Sequence, residues 1–196
     1  ENSNYYDVEI EYAKAGPEDI GIRISITNRS ADRQGTLHLL PTLWFRNIWS
    51  WSYNSGPRPQ LRWQREINQR SQIRAEFRNQ KQIDTWGYQP VYTLAADPAN
   101  AVLVTENETN RERFGWGDNP TPYVKDAFHN YLINGQTNAV NPEGTGSKAA
   151  PHYQLTLQPG ETQVVHLRLR GHGASEDPFT SGDPLGPELQ QLFSQR

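Results

Sequence analysis

The chain contains no cysteine and no methionine in 196 residues. Without thiols there is no disulfide framework, no zinc-thiolate centre and no cysteine nucleophile, and no redox compartment is written into the composition. Methionine is missing even at position 1, where Glu1 stands, so the chain is expected to be a fragment of a larger one. Long apolar runs are also absent. Nothing approaches the roughly 18 residues that a membrane helix needs, and no charged-then-apolar leader precedes Tyr5. A soluble chain without a membrane partner is the expectation, and the missing leader favours the cytoplasm. Helical periodicity is scarce as well, which turns attention to strands.

What is present is period-two alternation. Tyr6-Asp7-Val8-Glu9-Ile10-Glu11-Tyr12 alternates apolar and acidic residues, as a strand with one wet face does. The turn cluster Ala15-Gly16-Pro17-Glu18-Asp19 follows, and Ile20 to Asn28 alternates again, so the two segments are expected to pair antiparallel. A third strand begins at Thr36, and Pro41 should force a bend, bulge or edge because proline donates nothing to a ladder. Residues 54–59 read as a loop. Further strands are expected at Ser71–Phe77, Val91–Ala95, Ala101–Glu106, His152–Leu157 and Thr162–Arg170, the last two joined by the turn Pro159-Gly160-Glu161. Many short strands with turn signals argue for an all-β, antiparallel β-sandwich over residues 1–170. Residues 171–196 read as a Gly/Pro/Asp-rich linker and a short helix opened by Pro187, leading toward a helical domain.

Several enzyme classes lack their motifs. There is no G-x-S-x-G elbow, and Gly144-Thr145-Gly146-Ser147-Lys148 has neither the spacing nor the strand-to-helix setting of a phosphate loop. The five histidines are scattered in sequence, with no helix pair of zinc-binding type, so neither a metal nor a cofactor is implied. Glu106 and Glu108, two apart on one strand, would lie about 7 Å apart, near the roughly 6.5–9.5 Å of inverting glycosidases. Catalytic carboxylates flank the scissile bond from opposite sides, however, whereas these would face the same way, so no catalytic residue is assigned.

Charge is uneven. Residues 58–82 hold seven cations against two carboxylates, a local excess of five, so the remainder carries −8 within a net −3. The arginines form no clean stripe and acidic residues interrupt them. A solvated strand face is expected there rather than a nucleic-acid site. Lys125-Asp126, set among Pro122, Tyr123, Phe128 and Tyr131, is either a plain surface pair or a polar contact for sugar hydroxyls or a partner domain.

The densest aromatic stretch is LPTLWFRNIWSW at positions 40–51. A strand would send Trp44, Arg46 and Ile48 to one face and Phe45, Asn47, Trp49 and Trp51 to the other. Large rings on both faces mean that something covers the second face, or that the aromatic surface itself makes contacts. Core packing is the expectation for Trp44 and Phe45. Trp49 and Trp51, beside an Asn-Ser-Gly loop, fit that reading less well.

The segments LHLLPTLWFRNIWSW, VTENETNRERFG, PYVKDAFHNYLI and NPEGTGSKAAPHYQLTL, in that order, resemble the N-terminal region of bacterial proteins related to family-63 glycoside hydrolases, the mannosyl-oligosaccharide glucosidase group. The similarity runs from about Tyr5 to Arg170. It implies a β-sandwich of the super-sandwich type paired with a C-terminal (α/α)6 barrel that holds the general acid and base. The activity implied for the intact protein is hydrolysis of an α-glucosidic bond with inversion, and the chain alone should be inactive. The expected partner is then that catalytic domain, and an oligosaccharide is the alternative. Trp44, Arg46, Asn47, Trp49, Trp51, Asn107, Glu108, Asn110, Lys125, Asp126 and Lys148 are the candidates for the domain interface or for sugar contact, since arginine forks hydrogen bonds and tryptophan supplies area with a polar edge. A carbohydrate-binding module acting unaided is the second reading, and catalysis by Glu106 or Glu108 the remotest.

Overall fold

The computed structural model describes residues 4–50, 56–67, 70–176, 178–179 and 182–195. The alternating N-terminal segments form β1 (Tyr6–Gly16) and β2 (Asp19–Asn28), which pair antiparallel with Val8 opposite Ile26 and Ile10 opposite Ile24. Their acidic residues share the opposite face, where Arg23 binds Glu11 and Arg29 binds Asp7. A one-residue slip would turn Ile24 and Ile26 out of the core, which fixes the register, but β1 is the edge strand and its apolar face is not buried as expected: Val8, Ile10 and Tyr12 are about half exposed.

Two sheets are built from such strands. The larger has seven strands in the order β1-β2-β11-β7-β6-β5-β9, with β5 at Gln60–Ile67, β6 at Arg70–Glu76, β7 at Val91–Ala96, β9 at Thr145–Gly146 and β11 at Thr162–His172. The smaller has four: β10 (Lys148–Leu157) carries β3 (Gly35–Leu39), β4 (Leu43–Trp44) and β8 (Ala101–Thr105) as neighbours. Every ladder among the described residues is antiparallel. Pro41 sits in the break between β3 and β4, the bend that its missing N–H requires. The chain is thus all-β in its framework, with three short α-helices among the described residues, α1 (Gln80–Trp86), α2 (Ala127–Asn134) and α3 (Pro187–Ser194).

The core lies between the sheets. Ile24, Ile26, Leu61, Ile73, Leu94, Val165 and Leu167 of the large sheet meet Phe45, Val104, Ala149 and Tyr153 from the other layer. Burial at this scale stabilises by roughly 25 cal/mol per Å² of apolar area removed from water. Each outer face is covered locally. Phe128 of α2 packs with Leu103, Val140 and Ala150 on the back of the small sheet. Leu189 and Phe193 of α3, with Leu185, pack on Ala13 of β1. Gly21 lies beneath α3, and a Cβ there would stand 2.5 Å from Leu189 Cδ1, so the missing side chain leaves the space in which Leu189 packs. Part of the segment expected as a linker is accordingly packed against the sandwich, since β11 runs on to His172 and the α3 side chains return to β1.

Two helices lie where the sequence shows no helical period. In α1 no residue is buried, and in α2 only Ala127 and Phe128 are, so neither carries the apolar stripe that periodicity detects. Asn79 caps α1 at its start and Gly87, at φ 65°, ends it in a left-handed conformation. Among the described residues no helix is long and apolar enough to cross a membrane.

Candidate functional site

The aromatic stretch does not remain a strand. β4 ends at Trp44, whose backbone is paired with Lys148, and the chain then turns through Asn47 and Ser50. Among the described residues, the strand expected to run on through this stretch thus stops at Trp44. Phe45 points into the core and half-buried Leu43 packs against it, so strand alternation turns the Trp44 between them outward, where it is 56% exposed. Trp49 returns inward and packs against the core cluster. Trp51 lies outside the described residues.

The turn is held by one carboxylate. Glu108 is 3% exposed and accepts hydrogen bonds from Trp49 Nε1 at 2.6 Å, Ser50 Oγ at 2.5 Å and Asn47 Nδ2 at 3.1 Å. Arg58 NH1 stands 3.6 Å from the same carboxylate, with its guanidinium 5.9 Å from the Trp49 ring centroid. Asn107 reinforces the arrangement: its Nδ2 donates to the Phe45 carbonyl, and its own carbonyl accepts from Asn47 Nδ2, both at 2.9 Å. Sequence placed Glu106 and Glu108 on one strand face, but β8 ends at Thr105 and the two carboxylates diverge, Glu106 accepting from Ser147 Oγ. A carboxylate satisfied by three donors is a clamp for a loop, which is why its burial is tolerated.

A second polar network continues along the same segment. Lys125 N donates to the Glu108 carbonyl at 2.9 Å, Lys125 Nζ to Thr109 Oγ1 at 3.2 Å, and Lys148 Nζ to the Lys125 carbonyl at 2.5 Å. Asp126 accepts from Asn110 at 3.3 Å and Arg113 at 3.1 Å. Lys148 lies 4.1 Å from the Phe128 ring centroid. Burial pushes the Lys148 ammonium below the ordinary lysine range, with Asp126 opposing that shift and Lys125 adding to it. Asn47, Trp49, Asn107, Glu108, Lys125 and Lys148 are thereby linked through direct bonds or through the 107–109 and 125–126 backbone. Lys125 and Asp126 do not bond to each other, as an ordinary surface pair would, but to these neighbours.

Trp44 and Arg46 open instead onto a cleft of about 1020 Å³. One wall is the 44–49 segment and the Gly56–Pro59 loop; the other is Phe77 and the inner side of α1, ending in Trp86 and Tyr88. Tyr88 stacks on Phe77 at 4.9 Å, Phe77 meets Phe45 edge-on at 5.0 Å, and Trp86 meets Tyr88 edge-on at 5.5 Å. This chain of rings runs from core to surface, where Trp86 is 52% exposed. A smaller apolar cavity of about 200 Å³ shares Trp44, Phe45, Phe77 and Tyr88 with it.

Arg58, Phe77, Trp86 and Tyr88 were missed by sequence reasoning. The available signal was Trp86-Gly87-Tyr88, two rings flanking a helix-ending glycine. The basic stretch also resolves: Arg70 pairs with Asp97 and Asp183, and Arg74 and Arg78 with Glu76, so much of its charge is spent within the fold.

No family model matches the chain. An uncharacterized protein of Saccharomyces cerevisiae, YMR196W, is 32% identical to it over 184 residues, covering 84% of this chain and 16% of the yeast protein. The chain thus spans about a sixth of the length of the curated relative that it matches.

Proposed function

We propose that the chain is a non-catalytic β-sandwich unit of a glucosidase-like glycoside hydrolase, that it packs on an (α/α)6 barrel, and that the tryptophan cleft helps to shape the entrance to the barrel's substrate pocket. The observation that carries this reading is the cleft itself: Trp44 and Trp86 stay exposed across about 1020 Å³ while a buried carboxylate fixes the loop behind them. Exposed rings on a hydrogen-bonded support are the build of a contact surface, since burying such rings against a partner supplies the energy and the fixed loop lowers the ordering cost. A match to only 16% of a longer relative fits a unit that works beside others. The family resemblance supplies the barrel and the α-glucosidic chemistry.

The test is to mix the chain with the separately produced helical region of the longer protein. A complex that weakens about tenfold on Trp44→Ala supports the reading. No complex, together with unchanged activity of the intact protein carrying Trp44→Ala, removes it.

One observation favours a second reading. The cleft is concave and presents ring faces beside polar side chains such as Asn79, Gln82 and Thr85, as sugar sites do. A module binding a glycan unaided would retain affinity for maltotriose in isolation, measured by calorimetry. An interface domain would not.

A further inference from the structure

The cleft carries charge of one sign. Its lining contains three cations, Arg46, Arg58 and Lys81, and among the described residues no carboxylate. Arg58 is partly balanced, standing 3.6 Å from Glu108, but that carboxylate is buried behind Trp49 and already accepts three hydrogen bonds. Among the described residues neither Arg46 nor Lys81 has an acidic partner within ion-pair distance, in contrast to Arg23, Arg70 and Arg168, which do. Helix α1 sorts its charges accordingly. Lys81, Gln82, Thr85 and Trp86 line the cleft, whereas Asp84 does not and instead accepts from Gln80 at 2.8 Å. The whole chain is acidic at −3, so this is a local inversion of charge.

Three cations around exposed ring faces suit a ligand that is both flat enough to stack and negatively charged. We infer that the cleft binds a saccharide bearing an anionic group, carboxylate or sulfate ester, with a pyranose face on Trp44 or Trp86 and the anion toward Arg46, Arg58 and Lys81. The inference rests on the carbohydrate reading above and narrows its ligand. A neutral glucan would gain the stacking but leave the cations without a counter-charge. An acidic saccharide uses both, and the guanidinium forks match a carboxylate or sulfate in two-point fashion.

The experiment is calorimetric titration of the 196-residue chain with trigalacturonate, a sulfated trisaccharide, neutral galactotriose and a short oligothymidylate. The expected result is binding of at least one acidic trisaccharide about tenfold tighter than galactotriose, with the advantage shrinking as salt rises from about 0.05 M to about 0.3 M. The better of the two acids names the group. The double substitution Arg46→Gln/Lys81→Gln should remove that advantage while the urea midpoint stays in place, as expected of two exposed side chains. Binding of galactotriose as tightly as both acidic trisaccharides overturns the charge inference and leaves the carbohydrate reading standing. No binding of any saccharide overturns both. Oligothymidylate binding as tightly as the acidic sugars, insensitive to Trp44→Ala/Trp86→Ala, overturns the inference in favour of a general polyanion surface.

Discussion

Two apolar surfaces of this molecule are treated in opposite ways. On the outer face of the large sheet, Ala13, Leu185, Leu189 and Phe193 are closed over by α3, and Gly21 yields its side chain to let the helix down. At the tryptophan cleft, Trp44, Trp86 and Tyr88 are left open to solvent, and the polar bonds go into the loop behind them. The first surface contributes to folding by its own burial. The second contributes little by burial; Glu108 holds the loop behind its Trp44 wall and Phe77 backs Tyr88 on the other, which leaves the exposed rings free to meet something else. Exposed aromatics of this kind are informative because a short helix of the same chain was enough to cover the other face.

The comparison can be broken most severely at Glu108. Glu108→Ala strips the acceptor from Trp49 Nε1, Ser50 and Asn47, and should cost about 3 kcal/mol in urea unfolding while exposing Trp49 to fluorescence quenchers. Glu108→Gln keeps one acceptor oxygen and should cost less. On the closed face, Leu189→Ala removes a side chain that is 1% exposed and should cost about 2 kcal/mol, without changing the cleft's tryptophan emission.

A third prediction concerns pH. His38 Nδ1 and His152 Nε2 are 2.8 Å apart with stacked rings, beside Tyr131 of α2. Burial, and then the neighbouring His38, holds the His152 imidazole below its ordinary range. The unfolded chain therefore takes up a proton that the folded one refuses. This contribution to stability is present above about pH 6.5 and is lost as pH falls from there toward the lowered folded value. Urea midpoints measured across that window should drop with acid, and His152→Asn should flatten the slope. Smallest of all should be the stability effect of Trp44→Ala or Trp86→Ala, within about 0.5 kcal/mol, because exposed rings lose little on truncation.

Local signals in the sequence located most of the strands and one helix. The alternation of Tyr6–Tyr12 and Ile20–Asn28 gave a hairpin whose pairing is seen residue by residue, and Pro187 opens α3 as expected. Sheet order was not legible. β2 pairs with β11 across more than a hundred residues, and no local pattern encodes that choice. β5 was overlooked because its arginines and glutamines blur the alternation, and α1 because nothing in it is buried. At the candidate site the segments were legible and the roles were not. Asn47, Trp49, Asn107, Glu108, Lys125 and Lys148 do form a connected network, yet Glu108 holds a loop rather than facing a ligand. Trp44 was expected inside and is outside, because Leu43 and Phe45 on either side of it take the core-facing positions. Which of two alternating faces meets the core is decided by the opposing layer, which composition does not reveal.

The claim that the open cleft is a recognition surface, and not an imperfect core, meets its most direct test in the kinetics of the longer protein carrying Trp44→Ala/Trp86→Ala. On the glucosidase reading proposed above, the account predicts a KM for an α-glucosidic oligosaccharide raised about tenfold with an unchanged unfolding midpoint. An unchanged KM, or a midpoint that collapses as in a core truncation, would contradict it.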